Sequence, residues 1–433
     1  MKDVVKVGLV GFGTVGSGVA KILYGQQKPY LRGRAFGLEL VKIADIDIGA
    51  DRGIAVPEGA LTTRVEEILD DPEIDIVIEL IGGYEPARQI TLTAFEKGKS
   101  VVTANKALIA KHGSELFRAA VRTNVSYMFE ASVCGGIPLL RGIFDGLNAN
   151  IIESIHGILN GTTNYILTGM MRDGLDYNDV LARAQELGYA EADPTADVSG
   201  ADALSKIVIL TRLAFGLTLD IDEVYCEGIE NVTIQDINYA RELGYTIKLL
   251  AIAKKHDDGR IEARVHPTLV PSDSVMASVE DEFNAVEIFG DAVGREIFYG
   301  KGAGMMPTAS AVVSDIMDIA SRILTGAPAN VKRIIVDDNG PEPVDFEELN
   351  LKYYLRFTAL DCPGVLAGIS KIFGDENISI KSVIQKGTPE GDYVPIVIMT
   401  HVAREGDMQR AMNQFGKLEA VHGKVQLIRV EEI

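Results

Sequence analysis

"VKVGLVGFGTVGSGVAKIL" (residues 5–23) decides the fold. The run VKVGLV has strand character, and SGVAKIL has helical periodicity. Between them Gly11, Gly13 and Gly16 stand in G-x-G-x-x-G spacing. In a strand–turn–helix unit the first glycine permits the sharp turn, and the second lets the backbone approach a pyrophosphate. The third lets helix and strand pack closely. The helix N-terminus then faces the phosphates, so Phe12, Thr14 and Val15 fall on the same nucleotide-facing turn.

Working outward, "LELVKIADID" (38–47), "IDIVIELIGG" (74–83) and "KSVVTANKALIA" (99–110) are further strands with helical segments between them, and "NVSYMFEASV" (124–133) reads as another. This alternation predicts a doubly wound parallel α/β sheet over residues 1–135. Asp45 and Asp47 lie at the end of the second strand, where an acid binds a ribose 2′-hydroxyl and favours NAD. Arg52 nearby is the residue type that accepts a 2′-phosphate, so the reading leans to NAD and leaves the choice of cofactor open. "TANK" (103–106) follows a strand at its carboxyl end, the edge where open α/β sheets bind ligands. Lys106 there either meets substrate or nicotinamide or caps the following turn.

The 433-residue chain is 47% hydrophobic with a net charge of −20. That charge repels nucleic acid and anionic membranes. No apolar run is long enough to span a bilayer, and the N-terminus reads as a strand rather than a signal peptide. Three unpatterned cysteines imply a reducing cytoplasm, with no disulfide framework or zinc site. Residues 138–216 carry mostly helical periodicity. Strands follow at 245–255, 260–270 and 287–300, which makes residues 136–303 an α+β unit. "MMPTASAVVSDIMDIASRIL" (305–324) is a long amphipathic helix that returns to the first domain. The acidic, proline-containing segment 337–350 reads as an exposed linker. The last stretch, 351–433, has the order strand, helix, strand, strand, helix, strand of a ferredoxin-like unit.

The chemistry concentrates in "GYAEADPTADVSGADALSK" (188–206). Pro194 predicts a loop leading into a helix, with Ser199 as its N-cap. Asp202 and Lys206 are four apart on one face of that helix, which continues into the apolar "IVILTRLAFG". Burial lowers such a lysine's pKa and an adjacent carboxylate raises it, so the group suits acid–base work on a carbonyl oxygen. Against this stands a surface ion pair. Glu191, Asp193 and Asp197 exceed what one lysine neutralises: either they read a substrate ammonium or they form a solvated acidic loop. Cys134, in "EASVCGGIP", reads as a small buried cysteine, with a nucleophile as the alternative. Carbonyls around 133–137 suit a hard cation such as Na⁺.

These segments resemble the homoserine dehydrogenase family over nearly the whole chain, on "GLVGFGTVGSGV", "TANKALIA", "EASVCGGIPLL", "GILNGTTNYIL", "LGYAEADPTADVSGADALSK" and "GKGAGMMPTASAVVSDI". "LRFTALDCPGVLAGISKIFGDENISIKSVIQ" resembles an ACT domain. The resemblance implies reversible NAD(P)H-dependent reduction of L-aspartate 4-semialdehyde to L-homoserine, on the route to threonine, methionine and isoleucine. It implies Lys206 as the acid/base, with Lys106 near substrate and cofactor. Glu191, Asp202 and Asp197 would lie on the substrate with Gly188 nearby, and Glu191 and Gly302 near the cofactor. A structural Na⁺ is implied on Glu130, Val133, Gly135 and Ile137. It further implies a cytoplasmic homodimer or homotetramer. An amino-acid effector, threonine above all, would bind near Asp361 and Gly364. The domains expected are 1–135 with 304–330 for dinucleotide, 136–303 for substrate and dimerisation, 331–350 as linker and 351–433 as ACT. Removal of residues after about 345 is then expected to abolish inhibition and spare activity. Two rivals are an aspartate-semialdehyde dehydrogenase working through Cys134 and a non-catalytic metabolic sensor. The "ADALSK" group speaks against the sensor, which needs no acid/base.

Overall fold

The structure, a computed structural model, describes residues 4–25, 37–329, 340–386 and 393–433. The chain divides into two compact units, Met1–Glu153 with Ser205–Asp222 and Ile288–Pro341, and Ser154–Leu204 with Glu223–Glu287 and Glu342–Ile433.

The first unit contains β1 (Val4–Val10), α1 (Thr14–Tyr24), β2 (Gly37–Ala44), β3 (Leu61–Thr62), α2 (Glu66–Leu69), β4 (Ile74–Glu79), α3 (Ala87–Glu96), β5 (Ser100–Thr103), α4 (Lys106–Thr123) and β6 (Tyr127–Met128). The strands lie in the order β3-β2-β1-β4-β5-β6, and the pairs are parallel. This is the doubly wound Rossmann sheet that the glycine turn predicts. Helices against its faces explain why VKVGLV is nearly continuous in apolar residues: Val5, Val7 and Leu9 are fully buried. Val10 stands opposite both Ala44 and Glu79, and Glu79 opposite Thr103. Four strands therefore end at one level, and the loops that follow rise side by side from the carboxyl edge. The helix Met305–Thr325 packs Ala309, Val312, Val313, Ile316, Ile319 and Ala320 into the core formed by β1, β2 and α1.

Two local readings need correction. In 124–133 only Tyr127–Met128 is a strand, followed by a 3₁₀ turn at Glu130–Ser132. Tyr127 and Phe129 there are spent on an aromatic cluster with Phe95 and Phe117. Within the supposedly helical 138–216, Ile152–Ile158 is a strand. Its isoleucines at 152, 155 and 158 fall three apart and imitate a helical stripe, whereas pairing with Tyr245–Lys255 makes the segment extended.

In the second unit Tyr245–Lys255 and Ile261–Pro271 form a long antiparallel pair. The C-terminal elements are Asn350–Leu360, Val365–Asp375, Ile380–Gln385, Tyr393–Thr400, Glu405–Phe415 and Gln426–Val430, the ferredoxin-like order expected. Ile369, Phe373, Met408 and Phe415 pack on Tyr353, Leu355 and Phe357. The last strand runs parallel to Ile261–Pro271, with Thr268 opposite Arg429, so one sheet continues through both parts. Residues 331–339 of the expected linker lie outside the described residues. From 340 onward the segment is not a free tether: Ile261 N–H donates to Glu342 O at 3.0 Å and Val344 N–H to Ile261 O at 2.9 Å. Pro343 lacks an N–H, and its neighbours supply the pairing instead. Among the described residues no helix is long and apolar enough to cross a membrane.

Candidate active site

The glycine turn is built as its spacing requires. Gly11 has φ 101°, and a Cβ there would stand 2.6 Å from Leu80 O. A Cβ on Gly16 would stand 2.1 Å from Gly11 O, while Gly13 faces open space. Phe12 N–H donates to the Asp45 carboxylate, and Asp47 N–H donates to its other oxygen at 2.8 Å. Thr14 and Val15 open α1. Arg52 is partly buried, and Gly302 is buried in the turn before Met305–Thr325.

Beside this turn, at the ends of β4 and β5, lies a network that sequence reading missed. Glu79 is fully buried, and burial pushes its carboxyl up. It accepts Thr103 Oγ at 2.7 Å and Ile81 N–H at 3.0 Å. Asn105 N–H donates to Thr103 Oγ at 2.9 Å. Asn105 Oδ1 caps α4 by accepting Leu108 N–H at 3.1 Å, and Nδ2 donates to Gly83 O at 2.8 Å. Together they set Lys106, partly buried, at the first position of α4. The signal available was an acid at the end of a mostly apolar strand, "IDIVIELIGG".

Lys206 lies on the helix Ala201–Phe215 and is 8% exposed, which removes the surface-ion-pair reading. Further along the helix Arg212 lies over the Phe117 ring, 5.6 Å from its centroid, and against Gly113. Burial, then Arg118, pushes its guanidinium down to about 10. Thus the helix carrying Lys206 touches α4, which begins with Lys106. Ser199 is not the N-cap. Gly200 precedes the helix with φ 86°, and its carbonyl accepts Leu204 N–H at 2.8 Å. Pro194 likewise opens a short helix, Thr195–Val198, rather than a loop, since proline fits a first helical turn.

In the second unit Asn160, 5% exposed, organises the acidic segment. Its Oδ1 caps the helix Gly161–Asp173 by accepting Thr163 N–H at 2.8 Å. Its Nδ2 donates to Asp197 at 2.7 Å and to Asp202 at 2.9 Å. The single Thr162 hydroxyl proton is shared between the other Asp197 oxygen at 3.0 Å and Tyr189 O at 2.8 Å. Asp193 accepts from Thr195 Oγ at 2.6 Å and from Thr195 N–H at 3.1 Å; these bonds hold its carboxyl below the usual range. The surplus of carboxylates is therefore met in part by amide and hydroxyl donors, not by lysine or ligand alone. Gly188 and Glu191 are exposed on the loop fastened at Tyr189. Neither Asn160 nor Thr162 was singled out from sequence. The N-cap pattern "NGTT" was the signal.

Glu130 is 5% exposed, and its oxygens accept Leu140 and Arg141 N–H, both at 2.9 Å. Burial, then Asp315, pushes its carboxyl up to about 7. Val133, Cys134 and Ile137 are buried, with Cys134 at φ 50°. Gly135 packs on Thr308. Asp361 is exposed, and Gly364, φ 96°, caps the helix Val365–Asp375.

Comparison with known proteins identifies the domains. Residues 11–130 match the homoserine dehydrogenase NAD-binding domain, residues 138–317 the homoserine dehydrogenase domain and residues 353–420 the ACT domain. The chain is 45% identical to a homoserine dehydrogenase of Pseudomonas aeruginosa over 440 residues, covering 99% of each chain. It is similar to the crystal structure of a homoserine dehydrogenase from Thiobacillus denitrificans, with TM-score 0.90 and 43% identity, covering 99% of this chain and 98% of that one. A hyperthermophilic archaeal homoserine dehydrogenase solved in complex with NADPH matches with TM-score 0.62 and 27% identity over 74% of this chain and 98% of that one.

Proposed function

The chain belongs to the homoserine dehydrogenase family, and from that premise we propose how its residues divide the work. It is a nicotinamide-dependent oxidoreductase acting on a CH–OH group, interconverting L-aspartate 4-semialdehyde and L-homoserine. NAD(P)H, when bound, supplies the hydride to the aldehyde carbon. The Gly11–Gly16 turn and Asp45 would hold its phosphates and ribose, with Lys106 and Gly302 nearby.

Lys206 carries the proton. As negative charge grows on the former aldehyde oxygen, its ammonium stabilises that oxygen and protonates it. In the oxidative direction it takes the hydroxyl proton back. Asp202, one helical turn earlier on the same face, keeps the lysine oriented. Asp202, Asp197 and Glu191 serve the polar end of the amino-acid substrate, with Gly188 in the same loop. The observation that carries this reading is the Asn160 amide gripping Asp197 and Asp202 just before a buried lysine. The residue groups proposed for these tasks are 1–135 with 304–330 for cofactor, 136–303 for substrate and 351–433 for regulation.

A structural Na⁺ at Glu130, Val133, Gly135 and Ile137 belongs to the same proposal. A buried carboxyl pushed up to about 7 is a group that a cation would recharge, and the oxygens suit a hard ion. Feedback by an amino acid such as threonine at Asp361 and Gly364 is supported by the ACT match, and assembly into a homodimer or homotetramer in the cytoplasm belongs to the same proposal. The test is the change in absorbance of reduced cofactor with homoserine and either nucleotide. Absence of turnover by the purified chain with both nucleotides would overturn the reading. Cys134, 1% exposed, gives the acyl-enzyme alternative no accessible thiol.

A further inference from the structure

Arg429 joins the C-terminal strand Gln426–Val430 to the segment beneath the site aspartates. Its side chain is 1% exposed. Nε and Nη2 donate to Glu405 at 3.0 and 2.6 Å, and Nη1 donates to Glu227 at 3.0 Å. The guanidinium lies 4.6 Å from the Tyr225 ring centroid and 4.9 Å from that of Phe346. Glu227 accepts a second bond from Tyr225 OH at 2.9 Å.

Glu227 begins a stretch pressed against the backbone between Asp197 and Asp202. A Cβ on Gly228 would stand 2.2 Å from Val198 O and 2.6 Å from Ser199 Cα. Ile229 N–H donates to Val198 O at 2.9 Å, and Cys226 Sγ donates to Ser199 O at 3.4 Å. Residues 225–229 thus form a strut. Arg429 fixes one end, and the other bears on the turn that sets the spacing of the two aspartates held by Asn160.

The geometry points to Arg429 and Glu227 as positioning residues of the substrate site: through this ion pair the C-terminal unit sets the backbone of residues 197–202. The inference rests on the reading of Asp197 and Asp202 as substrate-side carboxylates. Glu227 keeps 25% of its side chain in solvent, so water would satisfy it without Arg429. The pair therefore contributes geometry more than solvation. Arginine's planar fork locks Glu405 and Glu227 into one arrangement. A backbone displacement of about 1 Å at a site costs on the order of a hundredfold in rate.

The experiment uses the full chain and three variants. Glu227→Gln keeps the Tyr225 contact and loses the charge. Arg429→Met removes the fork. Tyr354→Phe deletes a different contact of the C-terminal unit, the 3.0 Å bond to Asp236, which does not reach residues 197–202. Glu227→Gln is expected to raise KM for homoserine on the order of tenfold. Nicotinamide-nucleotide Kd and melting temperature should stay at the level of Tyr354→Phe, whose KM should match wild type. Wild-type KM in Glu227→Gln overturns the inference, as does an equal loss of kcat in Glu227→Gln and Tyr354→Phe with KM unmoved. A wild-type chain that does not turn homoserine over at all overturns the underlying reading instead, and this inference with it.

Discussion

Asn160 and Asp202 meet through a 2.9 Å hydrogen bond, and the same amide nitrogen reaches Asp197 at 2.7 Å. One neutral side chain, fixed by capping its own helix, therefore sets two carboxylates that the chain brings from either side of Val198–Gly200. Replacing it separates positioning from stability. Asn160→Ala costs about 1 kcal/mol through the lost cap. Its effect on kcat/KM for homoserine is expected to be larger, on the order of a hundredfold, because both aspartates lose the amide that joins them. Asn160→Asp should be worse, since it sets a third carboxylate against the pair. Steady-state kinetics beside thermal melts checks this. A kcat/KM loss no larger than the loss of folded protein would remove Asn160 from the site.

Lys206 is the second test. Lys206→Ala is expected to leave nucleotide binding nearly intact and to lower turnover by about a hundredfold or more. Lys206→Arg should recover little, because an arginine cannot give up its proton near neutral pH. Near-normal turnover in Lys206→Ala would end its assignment as acid/base.

Sequence and structure agree where a single physical cause sets the pattern. VKVGLV followed by G-x-G-x-x-G admits one local geometry, and the buried run after Lys206 announces a helix on which a lysine is costly unless used. The misreadings arise where two causes give one pattern. Isoleucines three apart served a strand at Ile152–Ile158, and a serine stood where the sharper turn needed Gly200. The partners of Asn160, Glu79 and Glu227 were illegible for another reason. They are distant in sequence, and spacing encodes nothing of those contacts.

Asp45 bears on cofactor choice. Its carboxylate is tied to the Phe12 and Asp47 amides, beside the glycine turn. A carboxylate there favours a ribose hydroxyl and repels a 2′-phosphate. Asp45→Ala is expected to shift the ratio of kcat/KM for NADP over NAD upward by about tenfold. Side-by-side kinetics with both nucleotides reads it. An unchanged ratio would place cofactor selection elsewhere.

The C-terminal unit is not expected to come away cleanly, against the expectation drawn from sequence. Ending the chain near residue 345 strips the partner strand from Ile261–Pro271 and takes Glu431 from Arg264, a 1%-exposed side chain it meets at 2.6 Å. Breaking one buried pair costs about 3–5 kcal/mol, and a bare strand edge invites aggregation. The truncated protein should be poorly soluble and melt well below the full chain. A soluble, fully active truncation would show that the shared sheet contributes little.

Lys248 supplies a pH test with a definite sign. It is 1% exposed and donates to Asn164 Oδ1 at 3.0 Å and to Val279 O. Burial pushes its ammonium down from 10.5 to about 8, with Glu280 and Asp281 opposing. Between those two values the unfolded chain binds the additional proton, so this group's contribution to stability rises with pH across that window and is lost as pH falls through about 8. At and below neutrality the buried charge is a standing penalty, about 3 kcal/mol from the shift alone. In Lys248→Met that dependence vanishes, while the Asn164 and Val279 oxygens lose a donor. Denaturant unfolding of both proteins from pH 7 to 10 is therefore expected to show the wild-type advantage over Lys248→Met growing as pH rises. A difference flat across that range would mean that the amine is neutral throughout or stays charged beyond it.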